Sequence, residues 1–79
     1  MLTTGHQLKA ARALAGMDQR TVAERARLSV NTIVSMEKRG PETLTSSLGT
    51  IRAVMAVLEA EGIEFLSDGG PGVRLRRQQ

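Results

Sequence analysis

Residues 17–40 read MDQRTVAERARLSVNTIVSMEKRG, and two short helices can be drawn through them with about three residues between. The first begins after Asp18, whose carboxylate can accept from the free N–H groups of a helix start, and places Val22, Ala23 and Ala26 on one face. Leu28 follows, then Ser29, a second N-cap residue. The second helix runs to about Lys38, with Ile33, Met36 and Val30 toward the inside. Gly40 and Pro41 stop it, because proline has no N–H to continue the ladder. Ala23 is the informative residue. A small side chain in the middle of the first helix lets two helix axes cross tightly, so that the second is held out as a ridge. A protruding helix of this size fits the major groove of B-DNA.

Working outward, Thr4 can cap a helix over Gly5–Ala15, in which Leu8, Ala11, Leu14 and Ala15 repeat at helical spacing. Gly16 stands where a left-handed C-terminal cap is expected. Downstream, residues 41–47 are a connector with room for one short turn. A fourth helix then carries Leu48, Ile51, Met55 and Leu58 on one stripe, widened by Val54 and Val57. That is more large apolar surface than one face against a three-helix core requires. Gly62 ends the helix, and Ile63-Glu64-Phe65-Leu66 reads as a strand. Ser67 to Gly72 is dense turn chemistry, and Val73-Arg74-Leu75-Arg76 alternates as a half-buried strand does. The predicted fold is a single, mainly α domain over residues 1–79. A bundle of four to five helices fills residues 1–61, and a C-terminal β-hairpin follows at 62–77. A lone hairpin is unstable in water, so this one must pack or pair with something.

A chain of 79 residues buries only about 60–65% of its unfolded surface, so its core is marginal and invites a staple. The chain has no cysteine and one histidine, His6, so neither a disulfide nor a zinc cage is available and no cofactor is expected. Self-association is the staple that remains. No apolar stretch is long enough to span a membrane, and Met1 to Gln7 lacks the order of a signal peptide. The expectation is a cytoplasmic protein. Charge is uneven along the chain. Residues 1–40 hold seven basic groups (Lys9, Arg12, Arg20, Arg25, Arg27, Lys38, Arg39) against Asp18, Glu24 and Glu37. Residues 41–66 hold Arg52 against Glu42, Glu59, Glu61 and Glu64, and the tail adds Arg74, Arg76 and Arg77 against Asp68. A basic half before an acidic stretch suggests one polyanion-facing surface and another face for something else.

The combination resembles the Cro/CI-type helix-turn-helix of phage repressors and the wider xenobiotic-response-element-like transcriptional regulators. The residues that carry the resemblance are Gln19 one residue into the first helix, Ala23 at its middle, and Leu28 and Ser29 before the second. Ile33 within the second helix, with Glu37 and Gly40 at its end, completes the set. The likeness spans about residues 5–61, with the motif at 18–39, and implies a lambda-repressor-like bundle. Two positions depart from the pattern. Arg27 stands where the family usually has glycine, at a cost of about 1 kcal/mol if its backbone is left-handed. Arg39 precedes Gly40 where the family often has glycine directly.

Carried over, the resemblance implies that Val30, Asn31, Thr32 and Ser35 meet base edges. Asn31 would make a bidentate contact to adenine, and Val30 and the Thr32 methyl would touch thymine methyls. Gln19, at a helix N-terminus, would hold a phosphate oxygen; Arg20, Lys38 and Arg39 would add affinity rather than sequence preference. Arg12 and Glu37 stand where the family places a structural ion pair between helix 1 and helix 3. Blander readings exist for most of these. Val30 reads equally as core, and Thr32, Ser35 and Arg20 as ordinary solvated helix residues. Arg74, Arg76 and Arg77 read as a solvated strand face or as contacts to flanking DNA. His6 reads as an exposed N-terminal residue. Glu59, Glu61 and Glu64 suggest acid–base chemistry only by number, with no nucleophile or metal ligand beside them, so an enzyme is not expected.

The predicted function is a sequence-specific regulator of transcription, phage or bacterial, acting as a repressor on double-stranded DNA. A homodimer would read an inverted-repeat operator, with interface candidates Leu48, Ile51, Val54, Met55, Leu58, Ile63, Phe65 and Leu75, some of which must be intramolecular core. The alternative is an antitoxin or adaptor that holds a partner protein through helix 4 and the hairpin.

Overall fold

A computed structural model describes residues 1–76. Four helices are followed by an antiparallel hairpin: α1 (Gly5–Ala15), α2 (Gln19–Ala26), α3 (Val30–Lys38), α4 (Leu48–Glu59), β1 (Ile63–Leu66) and β2 (Gly72–Leu75). The chain is mainly helical, and residues 41–47 hold turns but no fifth helix. Arg77, the last residue of the expected hairpin, lies outside the described residues.

Each helix starts at a side-chain cap. The oxygens of Thr4, Asp18, Ser29 and Ser47 accept from the backbone N–H of Gln7, Thr21, Thr32 and Thr50, supplying partners that the first helical turn lacks. The Asp18 carboxyl sits below the ordinary carboxylate range, first because of the Thr21 N–H. Its cap is therefore complete above the usual carboxyl pKa and is lost as pH falls through the lowered value. α1 ends at Gly16 in the left-handed conformation. α2 ends at Arg27, also left-handed with φ +60° and the only non-glycine residue with positive φ among those described. A side chain is crowded there, and Arg27 itself is exposed. Arg27→Gly is thus expected to stabilise the chain by about 1 kcal/mol, read as a thermal midpoint some 4–8 °C higher. An unchanged or lower midpoint would show that the turn carries no strain.

The core joins all four helices to the hairpin through Leu8, Ala11, Val22, Ala23, Ile33, Met36, Val54, Leu58 and Ile63, with Leu2 and Leu44 from segments outside any helix. Leu2 and Leu44 are brought in by a backbone clasp. Thr4 bridges Thr43 in antiparallel fashion, and the Leu44 N–H donates to the Thr3 carbonyl at 2.7 Å. The hairpin registers Ile63 opposite Leu75, Glu64 opposite Arg74, Phe65 opposite Val73 and Leu66 opposite Gly72. One further bond, Arg76 N–H to the Gly62 carbonyl at 2.7 Å, closes its open end.

Gln7 docks this hairpin. Its Oε1 accepts from the backbone of Thr3 and Thr4, completing a capping box at α1. Its Nε2 donates to the Gly72 carbonyl at 2.9 Å. The side chain is almost wholly buried, yet no buried side-chain polar atom among the described residues lacks a partner. The hairpin thus packs on α1 of its own chain, which answers how so small a sheet persists.

Packing also divides the apolar residues of α4. Val54, Val57 and Leu58 are buried in the core, as is Ile63 at the start of β1. Val54, Leu58 and Ile63 are therefore removed from the expected dimer surface: they face the chain's own α-helices, and no second chain can reach them. Leu48 and Leu75 are exposed, at 52% and 45%, while Ile51, Met55 and Phe65 are half-buried. No helix among the described residues is long and apolar enough to cross a membrane.

Candidate nucleic-acid interface

The α2–α3 pair is joined by Arg27, Leu28 and Ser29. Ala23 at the middle of α2 is fully buried, as are Val22 beside it and Ile33 of α3. With those residues inward, α3 turns Asn31 and Ser35 outward, one turn apart, and both are exposed. Thr32 is half-buried, and its hydroxyl is hydrogen-bonded to that of Ser29 at 2.9 Å. Val30 is half-buried and packs against the core, so only part of it faces out.

Asn31, Thr32, Ser35 and Arg39 line one side of a depression of about 300 Å³, and Thr45 and Ser46 of the connector line the other. The two connector residues were not identified from sequence. They sit in a polar stretch without periodicity, and the connector is held by the Thr4–Thr43 bridge together with Arg39 Nε, which donates to the Thr43 carbonyl from the end of α3. Apart from Met36, the lining side chains end in a hydroxyl, an amide or a guanidinium. Such a surface can donate to and accept from a polar ligand, and the one carboxylate beside it, Glu42, is paired with Arg39.

The expected phosphate-binding residues occupy different situations. Arg20 and Lys38 are exposed and make no ion pair among the described residues. Arg39 is half-buried: its Nε donates to the Thr43 carbonyl at 3.1 Å, and its Nη2 lies 3.4 Å from Glu42. Gln19 is tied inward, its Nε2 donating to Glu37 Oε1 at 3.1 Å. An amide nitrogen carries two hydrogens, so one remains for an outside acceptor.

Glu37 is the hub that joins Gln19 of α2 to Arg12 of α1. Arg12 reaches from α1 to grip it with two parallel bonds, Nε to Oε2 at 2.5 Å and Nη2 to Oε1 at 3.0 Å. Arg12 Nη1 also donates to the Met17 carbonyl at 3.0 Å, which ties down the α1–α2 turn. The Glu37 side chain is only 7% exposed and that of Arg12 17%. The Arg12 pKa is raised, first by the hydrogen bond to Glu37 and against the opposing effect of burial, so the guanidinium remains charged. A bidentate pair of this kind constrains angle as well as distance. It holds the end of α3, the start of α2 and the end of α1 together through one carboxylate.

A second, larger cavity of about 450 Å³ lies between α1 and the hairpin, beside Thr4, His6, Gln7, Pro41 and Val73. His6 is the one ionisable side chain lining it. Among the described residues, no group of histidines and carboxylates is placed to hold a metal ion. Glu61 and Glu64 are instead paired, with Arg25 at 3.0 Å and with Arg74 and Arg76 respectively. Hydrogen bonding from Arg74 lowers the Glu64 pKa.

No protein-family model matches this chain, and no curated protein matches it.

Proposed function

We propose that this chain is a sequence-specific double-stranded-DNA-binding regulator of the Cro/CI-type helix-turn-helix class, with a lambda-repressor-like arrangement, acting as a dimeric repressor on an inverted-repeat operator. The observation that carries the reading is the outward face of α3. Asn31 and Ser35 stand exposed beside a polar concavity, while Lys38 and Arg20 offer unpaired positive charge nearby. A helix presented in this way can place short polar side chains on base edges, and the flanking cations can hold the phosphates on either side. Thr45 and Ser46 join the proposed surface as further contacts, since they share the concavity with Asn31. Gln19, held by Glu37, would meet a phosphate with its second amide hydrogen. Repression by blocking polymerase is the simplest outcome for such a surface.

Selection of bound duplexes from a random pool, followed by sequencing, tests the reading directly. An inverted repeat with half-sites about 10–10.5 base pairs apart is expected for a two-fold dimer. Asn31→Ala is expected to cost about 1–3 kcal/mol on the selected site and to relax preference at one base position. Lys38→Ala should weaken all duplexes alike and reduce the salt slope by about one. Retention of full preference by the first variant, or of the full salt slope by the second, would show that another face meets the DNA.

A further inference from the structure

We propose that the outer face of α4 is the two-fold contact of this chain, pairing antiparallel with α4 of a second copy. Arg52 would lie against Glu59 of the partner subunit, and Glu59 against Arg52 of the partner subunit. The inference deepens the dimeric reading above and rests on it, though it needs no DNA.

Leu48, Arg52, Ala56 and Glu59 are all exposed, whereas Val54, Val57 and Leu58 on the opposite face are buried. Arg52 and Glu59 make no ion pair among the described residues, although Arg12, Arg25, Arg39, Arg74 and Arg76 all do. They stand seven residues apart, two turns along the same side of the helix, or about 10.5 Å at 1.5 Å per residue. They are too far apart to neutralise each other within one chain. A two-fold axis crossing the helix between Met55 and Ala56 reverses the order in the second copy, so each positive end meets a negative one. A parallel pairing in register would set like charges together. The pattern is therefore self-complementary in one orientation, as an isologous contact requires.

The apolar rim fits the same occupant. Leu48, Ile51 and Met55 form a half-exposed strip along one flank of that face. The strip continues onto the N-terminal segment, where the Leu2 N–H lies 3.5 Å from Met55 Sδ and Met1 is 45% exposed. On the other flank Gly49, Ala53, Ala56 and Ala60 have small side chains or none, so a second helix can approach closely. A twelve-residue helix is only about 18 Å long, less than a standard interface needs, so the flanking Met1, Leu48 and Ile51 must contribute area.

Sedimentation equilibrium of the full chain without DNA tests this. The wild type should self-associate, and Arg52→Glu and Glu59→Arg should each raise the dimer Kd by about tenfold or more by setting like charges together. The double variant, which swaps the charges, should return to within about threefold of the wild type. A wild type that stays monomeric into the millimolar range, or a double variant no tighter than the singles, overturns the proposal. Both positions are exposed, so the helical circular dichroism should be retained. Should either single variant fail to fold, cross-linking provides a second readout, because the chain has no cysteine of its own. Ala56→Cys, beside the axis, should form a disulfide-linked dimer under mild oxidation, while Glu24→Cys on α2 should not. Equal cross-linking of the two would also overturn it. A wild-type dimer that selects no duplex from a random pool would leave this contact standing and remove the DNA reading alone.

Discussion

Gly5→Ala is expected to destabilise the chain by about 3 kcal/mol, the upper part of the range for an overpacked core. A Cβ on Gly5 would lie 2.6 Å from the Met36 carbonyl oxygen, 2.7 Å from the Gly40 nitrogen and 2.8 Å from the Glu37 carbonyl oxygen. All three are backbone atoms at the end of α3, so no side chain can swing aside. The start of α1 and the end of α3 would have to separate. That motion would also strain the bond from the His6 N–H to the Gly40 carbonyl, now 2.8 Å. For a domain of this size the loss corresponds to a thermal midpoint roughly 12–24 °C lower. A fall of only a few degrees would mean that the α1–α3 contact yields cheaply. Because the same contact sets the direction of α3, any DNA affinity should fall further than the folded fraction explains.

Glu37→Ala is the second large effect, about 3 kcal/mol, since it leaves the guanidinium of Arg12 largely buried without its carboxylate and frees Gln19. Replacing both partners, as in Arg12→Met with Glu37→Leu, should cost less than Glu37→Ala alone, because no unpaired charge is left in the interior. Urea denaturation of the three proteins checks this ordering. A double variant weaker than the single would show that the pair contributes by more than mutual compensation. If the chain binds DNA as proposed, its affinity for duplexes should fall in both, because neither retains the carboxylate that anchors the Gln19 amide.

Local chemistry made much of the fold legible. The four N-caps are short polar residues that bond to N–H groups three positions on, so their effect is written within a few residues of chain. Gly16 and Gly62 take up positive φ at helix ends for the same local reason. The hairpin followed from two short strand-like runs, the second of them alternating, about a glycine-rich turn. The second strand starts one residue earlier than the alternation suggested, because Gly72 has no side chain to register in the pattern but still pairs with Leu66. Arg12 and Glu37 could be matched as partners only through a family likeness, and their side chains do meet. They stand 25 residues apart, beyond any local rule.

What the chain alone could not show was which neighbour covers which face. Periodicity grouped six large apolar residues on α4, but it could not tell that Val54, Val57 and Leu58 face the core while Leu48 faces water. That division depends on where α1, α2 and β1 lie, and a helical pattern specifies a stripe without naming what it packs against. Leu2 and Leu44 belong to no periodic pattern, and both are buried beside the Thr4–Thr43 clasp. Gly5 read as an ordinary helix start, and only the approach of α3 makes its missing Cβ necessary. The motif at 18–39 stood the other way round. Its caps and its small mid-helix alanine were legible from residue order, because they depend on spacings within two short helices, while the outward placing of Asn31 came from the family likeness. Its placement was decided elsewhere, by Arg12 from α1 and by the close backbone approach at Gly5. Contacts between distant parts of a chain carry no local signature, and in this protein those contacts hold the exposed helix in place.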